Sequence, residues 1–413
     1  MYEITCDVAI VGGGPAGLAA AAAAKKEGTE KVIIIERDET LGGILQQCIH
    51  PGFGLKLFKE ELTGPEYYGR FVDKVKELGV ETLMNSMVLE IEKNTVVCMN
   101  KEHGITNVNT KSIVLAMGCR ERTRANIMIP GTRPAGIYTA GSAQRLMNRQ
   151  NEMVGKKVVI LGSGDIGMIM ARRMTLEGAE VVAVVELNNF LAGLTRNKVQ
   201  CLDDFGIPLL LSHTITNIKG NDRVEGVVVS KVDEATKKVI AGSEQFFECD
   251  TLLLSVGLIP ENELTRKAEI EISSITNGPV VNQYMQTSIP SVFACGNVVH
   301  VNDLVDNVST ESAIAGASAA KFAKGELGGG EEISVKTGEN VRYVCPQRVV
   351  GGGGKVDFYF RVMAPKGQSV IAAKDGDKVL CSRKTIKVNP GEIEKITVDL
   401  GGVREIVIES REA

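Results

Sequence analysis

Six residues recur at one fixed interval of 150 positions: Gly12, Gly14, Gly17, Ala21, Gly28 and Glu36 return as Gly162, Gly164, Gly167, Ala171, Gly178 and Glu186. Each copy opens on a short β-branched apolar run, residues 8–11 or 158–161, which reads as a buried parallel strand. The chain then turns through glycines into an Ala-rich or Met-rich helical stretch and returns to a second apolar strand. That is a βαβ unit. Two such units point to an α/β architecture of parallel sheets covered by helices.

The glycine spacing has a chemical meaning. In G-x-G-x-x-G between strand and helix, the first glycine permits the tight turn. The second lets backbone approach a pyrophosphate, and the third lets helix pack closely on strand. Unpaired N–H groups at the helix N-terminus face the phosphates, and a carboxylate ending the second strand accepts hydrogen bonds from ribose hydroxyls. The first copy is therefore predicted to hold a dinucleotide through Gly12, Gly14, Pro15, Ala16, Gly17, Glu36 and Arg37, and the second through Gly162, Gly164, Asp165, Ile166, Gly167 and Glu186. Glycine turns also serve packing alone, so a purely structural second domain stays open. A carboxylate at 186 would repel a 2′-phosphate and favours NADH over NADPH. The alternative is that Arg172, Arg173 or Lys198 reaches around to hold that phosphate.

After each βαβ unit the pattern changes to strands separated by turns. Following a helical stretch at 69–78, residues 87–92, 95–99 and 112–117 form one set, and residues 214–219, 224–232 and 246–256 form the other. Each ends in an apolar strand and a glycine, Gly118 or Gly257. The expected fold is α/β: two nested Rossmann-like three-layer ββα dinucleotide-binding domains, followed by a small all-β domain. The expected boundaries are 1–120 with 285–328 for the first domain, 121–284 for the second and 331–413 for the third. In the third, strands are expected at 341–344, 356–362, 370–373, 385–388, 396–400 and 406–408, with Gly-rich turns such as 351–354 between them.

Composition excludes several function classes. With 44% hydrophobic and 24% charged residues the 413-residue chain is ordinary for a folded protein of roughly two to four domains. A formal charge of −4 and the absence of a dense Lys/Arg run give no support to a nucleic-acid or anionic-membrane surface. Nine scattered cysteines, none spaced C-x-x-C, argue against a disulfide framework or a zinc knuckle, and no metal is expected. The start of the chain lacks a basic segment and runs into glycines, so neither a secretory signal nor an integral membrane segment is expected, and the cytoplasm is the natural compartment.

With these motifs the sequence resembles the pyridine-nucleotide-disulfide oxidoreductase superfamily of FAD and NAD(P) flavoproteins over about residues 5–325. Besides the two fingerprints the resemblance rests on Ala116-Met-Gly118, Ile129-Pro-Gly131, Gly257-Leu-Ile-Pro260 and TSIPSVFACGN at 287–297. It implies FAD in the first domain, with Gly42, Gly43, Ala116, Gly118, Gly296 and Asn297 added to its site. NAD(H) falls to the second, with Gly257 added. The family's acidic residue after the last glycine, which binds the ribityl chain, is here Asn297, an amide that can hydrogen-bond without charge. A helix over about residues 310–322 would aim its N-terminus at the flavin, its partial positive charge favouring the anionic reduced ring.

The stretch LGGILQQCIHPGFG at 41–54 keeps only Cys48 of the C-x4-C redox pair, with Gly43 five residues before it, and the stretch 138–157 has no cysteine. No dithiol relay is available. Cys48 is a candidate either for sulfenic-acid chemistry, as in NADH peroxidases, or for lining the flavin pocket, and His50 for proton donation or a structural role. The family's C-terminal interface domain with its His-Glu pair is replaced by the β domain. Through GGILQQCIHPGFG and KEELTGPEYYGRF the chain is similar to FAD/NAD subunits of opine and D-proline dehydrogenases and, closer, to flavoproteins accompanying glycerol-3-phosphate-dehydrogenase-like subunits. That resemblance implies electron transfer between NADH and a second flavoprotein, with the β domain as the expected docking element. The alternatives are a stand-alone NADH oxidase or peroxidase using Cys48, and a non-catalytic nucleotide-binding scaffold.

Overall fold

A computed structural model describes residues 2–351 and 353–413; Met1 and Gly352, the latter inside the expected turn at 351–354, lie outside the described residues. The chain divides into two compact units, residues 1–119 with 260–413, and residues 120–259.

In the first unit the strands Glu81–Leu83, Val32–Ile35, Tyr2–Val11, Gly104–Leu115 and Val292–Ala294 lie side by side and parallel. Both faces are covered, so Val8, Ile10, Ile33, Ile34, Ile113 and Val114 are fully or almost fully buried, which explains the continuous apolar runs. Gly104–Leu115 carries both parallel and antiparallel pairings within one seven-stranded sheet. It pairs parallel with Tyr2–Val11 from Thr106 to Leu115, and its first half also pairs antiparallel on its other edge with Thr95–Asn100, which pairs with Ser86–Glu92. The helices Pro15–Lys26 and Val305–Ala323 pack together at Gly316, where a Cβ would come within 2.0 Å of the Ala20 carbonyl oxygen. The alanines of the first helix are small enough to allow that approach.

The second unit repeats the plan. Its parallel strands run in the order Ile137–Thr139, Thr251–Leu254, Lys157–Leu161, Glu180–Val185, Leu209–Leu210, beside an antiparallel set of His213–Lys219, Gly226–Lys231 and Gln245–Glu248. Here the expected single strand at 246–256 is two strands in two sheets. Asp250 breaks it: its carboxylate accepts from the Lys156 and Lys157 amides and from the Thr251 hydroxyl, turning the chain between sheets.

The third domain has a five-stranded sheet (Arg348–Val350, Glu332–Thr337, Ile406–Glu412, Ser369–Asp375, Lys378–Thr385) and a three-stranded one (Val341–Cys345, Lys355–Val362, Glu394–Asp399), closed over Phe358, Phe360, Ile371, Val398, Ile406 and Ile408. The strand expected at 385–388 lies earlier, at Lys378–Thr385. This domain is no loose appendage. Cys345 belongs to the apolar core of the first domain, Gln283 exchanges two hydrogen bonds with the Val350 backbone at 2.7 and 2.8 Å, and Arg361 donates to the Val301 carbonyl at 3.0 Å.

The two compact units group residues 331–413 with the first domain. Residues 260–284, expected with the second domain, fall in the first unit. Ile270 and Val281 enter the first domain's core, and Asn262 donates to the Val298 carbonyl at 2.9 Å.

Candidate functional site

The two fingerprints fold alike in detail. Gly12 (φ +107°) and Gly162 (φ +98°) turn where a Cβ would strike a backbone oxygen of the adjoining strand, Ala116 at 2.5 Å and Ser255 at 2.1 Å. Their amides donate to the carbonyls of Ile35 and Val185 at 2.9 and 2.7 Å. Gly17 and Gly167 lie under the turn, where a Cβ at Gly17 would be 1.8 Å from the Gly12 carbonyl oxygen and one at Gly167 3.0 Å from that of Gly162. Both helices begin after an extended glycine, Gly14 or Gly164, with no side chain capping them. Pro15 brings no N–H to the first turn and Gly167 N donates to Ser255 Oγ at 3.1 Å; the other first-turn amides are the donors suited to a ligand.

Around the first fingerprint the expected residues gather. Gly43 approaches Gly14, a Cβ on it falling 3.0 Å from the Gly14 Cα, and Gly42 (φ +113°) lies against the Tyr68 ring. Pro15 opens the helix, and Ala16 touches Gly296, where a Cβ would come within 2.8 Å of the alanine methyl. A Cβ on Gly118 (φ +73°) would meet nothing within 4 Å. Ala116 is buried, and Arg37 points to solvent. Glu36 is buried and accepts from Gly13 N at 2.6 Å and Asp38 N at 2.9 Å. Asn297 is turned inward: its Oδ1 accepts from Asn302 N at 2.9 Å and its Nδ2 lies 3.6 Å from Cys119 Sγ. The buried Asn302 Oδ1 has no partner among the described residues. A glycine cradle, an uncapped helix end and a buried carboxylate fit a dinucleotide such as FAD.

In the second unit Glu186 is buried and engaged by Ser163 and Asn188. Asp165 Oδ1 accepts from Leu194 N at 2.8 Å and Asn197 Nδ2 at 2.7 Å, holding the following loop against the helix end. Ile166 is half-buried, and Gly257 (φ +100°) has open space around it, with Arg122 Cδ at 4.0 Å. These residues fit a dinucleotide equally well.

Cys48 is 4% exposed, donates to the Ile44 carbonyl at 3.3 Å, and burial pushes its thiol up to about 12. Such a thiol stays protonated and is a poor nucleophile. His50 Nδ1 lies 3.1 Å from the Pro51 carbonyl oxygen and its ring meets Phe53 at 5.0 Å. The loop bearing both is fixed to the long helix, because Lys56 N donates to Asp306 at 2.8 Å and Tyr67 donates to Ser309 at 2.8 Å. That helix starts at Val305, five residues before the expected Thr310. Sequence reasoning missed the buried His300–Glu311 pair beside it, and also Ser163 and Asn188, although the last two stand at the 150-residue offset from Gly13 and Asp38.

The sequence profile described as pyridine nucleotide-disulphide oxidoreductase matches residues 6–346. The chain is 25% identical to the mitochondrial dihydrolipoyl dehydrogenase of Caenorhabditis elegans over 383 residues, covering 83% of this chain and 71% of that one. It is 26% identical to an NADH oxidase of Methanocaldococcus jannaschii over 321 residues, covering 73% and 65% respectively. It thus spans about two thirds of the length of these relatives. The fold is shared with thioredoxin reductase of Lactococcus lactis at a TM-score of 0.63 and 21% identity, over 78% of this chain and 99% of that one.

Proposed function

From the premise that this chain belongs to the pyridine nucleotide-disulphide oxidoreductase family, whose members use FAD and NAD(P)H, we propose that its first domain binds FAD and its second NADH, and that it passes electrons between NADH and a partner flavoprotein in the cytoplasm. Hydride exchange between nicotinamide C4 and flavin N5 is the chemistry the two cofactors supply when bound. The chain's own residues bind and orient. Gly12, Gly14 and Gly17 admit one pyrophosphate and Gly162, Gly164 and Gly167 the other, while Glu36 and Glu186 receive the riboses.

The observation that carries this reading is the repetition of one cradle at a 150-residue offset, down to the carboxylate and the two backbone amides that hold it. A carboxylate rather than a cation at 186 supports NADH over NADPH. The protonated Cys48 thiol weighs against a peroxidase cycle at that residue. With no C-x-x-C or C-x4-C pair, electrons have no dithiol exit, which supports a second flavoprotein as acceptor; the resemblance through GGILQQCIHPGFG and KEELTGPEYYGRF supports one acting on glycerol 3-phosphate or a related 2-hydroxy acid.

Anaerobic stopped-flow mixing of the FAD-loaded chain with NADH tests the reading. Flavin bleaching by NADH much faster than by NADPH is expected, with the gap narrowed in Glu186→Ala. Equal reduction by both, or none, removes the nucleotide assignment. Copurification from the native source tests the partner, and full turnover of an organic substrate by the isolated chain removes it.

A further inference from the structure

The two repeats differ at a point where a bound ribose would feel it. Glu36 accepts one backbone N–H at each carboxylate oxygen, Gly13 N on Oε2 at 2.6 Å and Asp38 N on Oε1 at 2.9 Å. Glu186 repeats both at the same offset, Ser163 N on Oε2 at 2.9 Å and Asn188 N on Oε1 at 2.8 Å. It then has two donors that the first copy lacks. Ser163 Oγ donates to Oε2 at 2.7 Å and Asn188 Nδ2 to Oε1 at 2.9 Å. Gly13 has no side chain, and Asp38 carries an acid in place of the amide. A carboxylate offers about four lone-pair sites. Glu186 is therefore filled, whereas Glu36 keeps two sites open among the described residues.

We propose that Ser163 and Asn188 stand in, in the ligand-free second site, for the ribose hydroxyls of NAD(H), so that this nucleotide binds by exchange and leaves readily while the first site retains its own. The inference rests on the second domain being the NAD(H) site. Glu186 is 4% exposed and Ser163 is sealed from solvent, so lone pairs left unmet there are costly. The stand-ins remove that cost from the empty site, and by the same amount reduce what the ribose gains on arrival. Glu36, also buried, completes its hydrogen bonds only with a ligand present. A prosthetic group held permanently and a substrate that must depart each turnover call for that difference.

Asn188 is the cleaner residue to change. Its side chain bonds only Glu186 among the described residues, and its backbone contacts, including Ser212 N to Asn188 O at 2.9 Å, survive truncation. Ser163 Oγ also accepts from Ala192 N at 2.9 Å, so Ser163→Ala loosens the following loop as well.

The experiment uses the FAD-loaded full chain, with dissociation constants measured for NADH and for an analogue lacking both adenosine-ribose hydroxyls. Asn188→Ala is expected to bind NADH about threefold to tenfold tighter, the worth of one exchanged hydrogen bond. The analogue should gain nothing and the FAD content should hold. Unchanged or weaker NADH binding in Asn188→Ala, at full FAD content, overturns the proposal, because the amide would then be orienting Glu186 for the ribose. An equal gain for the analogue also overturns it, as that would be a loop effect. An unmutated chain that binds no NADH instead overturns the nucleotide assignment itself, and does so before any substitution is made.

Discussion

His300 Nε2 stands 3.1 Å from both carboxylate oxygens of Glu311, and the two side chains are only 1% and 2% exposed. His300 follows the turn that carries Asn297, and Glu311 sits in the second turn of the long helix. The third domain closes the site: Tyr343 OH lies 3.4 Å from His300 Nδ1, and the Tyr343 and Tyr359 rings are 5.7 and 6.5 Å away. Burial alone would lower the imidazole's pKa. The Glu311 carboxylate, helped by Cys345 and Tyr343, outweighs that and holds it well above its ordinary value of 6.5. Removing one member of such a pair strands the other, at about 3 to 5 kcal/mol.

A pH dependence follows with a fixed sign. Below about pH 6.5 the histidine is protonated folded and unfolded, and the pair stabilises fully. As pH rises from there toward the raised folded value, the unfolded chain has released its proton and the stabilisation drains away. Urea midpoints should therefore fall between pH 6.5 and the alkaline range. His300→Asn, with no titrating ring, should show a lower midpoint and a flatter slope; parallel profiles for the two proteins would mean the pair contributes nothing.

Two fingerprint glycines should fail in different ways. A Cβ at Gly14 meets nothing closer than Gly43 Cα at 3.9 Å, so Gly14→Val should still fold. It fills the space a pyrophosphate needs, so the purified variant should be colourless and take up no added FAD. At Gly17 a Cβ lies 1.8 Å from a backbone oxygen, so Gly17→Ala should fail to give soluble folded protein. Circular dichroism with flavin absorbance separates the two, and a yellow Gly14→Val variant removes the placement of the FAD pyrophosphate at Gly14.

Cys48 should behave as a packing residue. With its thiol raised to about 12, iodoacetamide at pH 8 should leave it unmodified in the folded chain. Cys48→Ser should keep NADH-dependent flavin reduction within about twofold and show no loss of peroxide turnover, since none is expected to be present. Peroxide-dependent NADH oxidation abolished by that substitution would restore the sulfenic-acid reading.

Both βαβ units were legible in the sequence because their determinants are local: a glycine whose Cβ would hit the next strand, a carboxylate 23 residues after the amide it accepts from. The meander strands were legible for the same reason, except at Asp250, where an acid between apolar residues turns the chain from one sheet to another. The early start of the long helix was hidden because Leu304 carries no capping side chain. Docking of the third domain was hidden more deeply. Cys345 reaches the first domain's core and Gln347 Oε1 accepts from Val281 N at 3.0 Å, contacts between segments 66 residues apart with no periodicity to announce them.

That docking changes what truncation should do. Sequence reasoning makes residues 331–413 a detachable platform for a partner, whose removal spares flavin reduction. In the structure they supply Cys345 to the first domain's core, Tyr343 and Tyr359 over His300, Arg361 to the Val301 carbonyl, and an ion pair from Arg348 to Glu271. Without them the His300–Glu311 pair faces water, and Val281 and Gln283 lose the backbone and side-chain partners they hold across the junction. A chain ending at residue 330 should therefore be recovered poorly and with little FAD, its thermal midpoint well below that of the full chain. A surface change such as Ile386→Asp, at a side chain 80% exposed in the third domain, should leave FAD content and stability untouched and so is the fair probe of partner docking there. A truncated chain that is yellow, stable and reducible by NADH would return the third domain to the role of an independent platform.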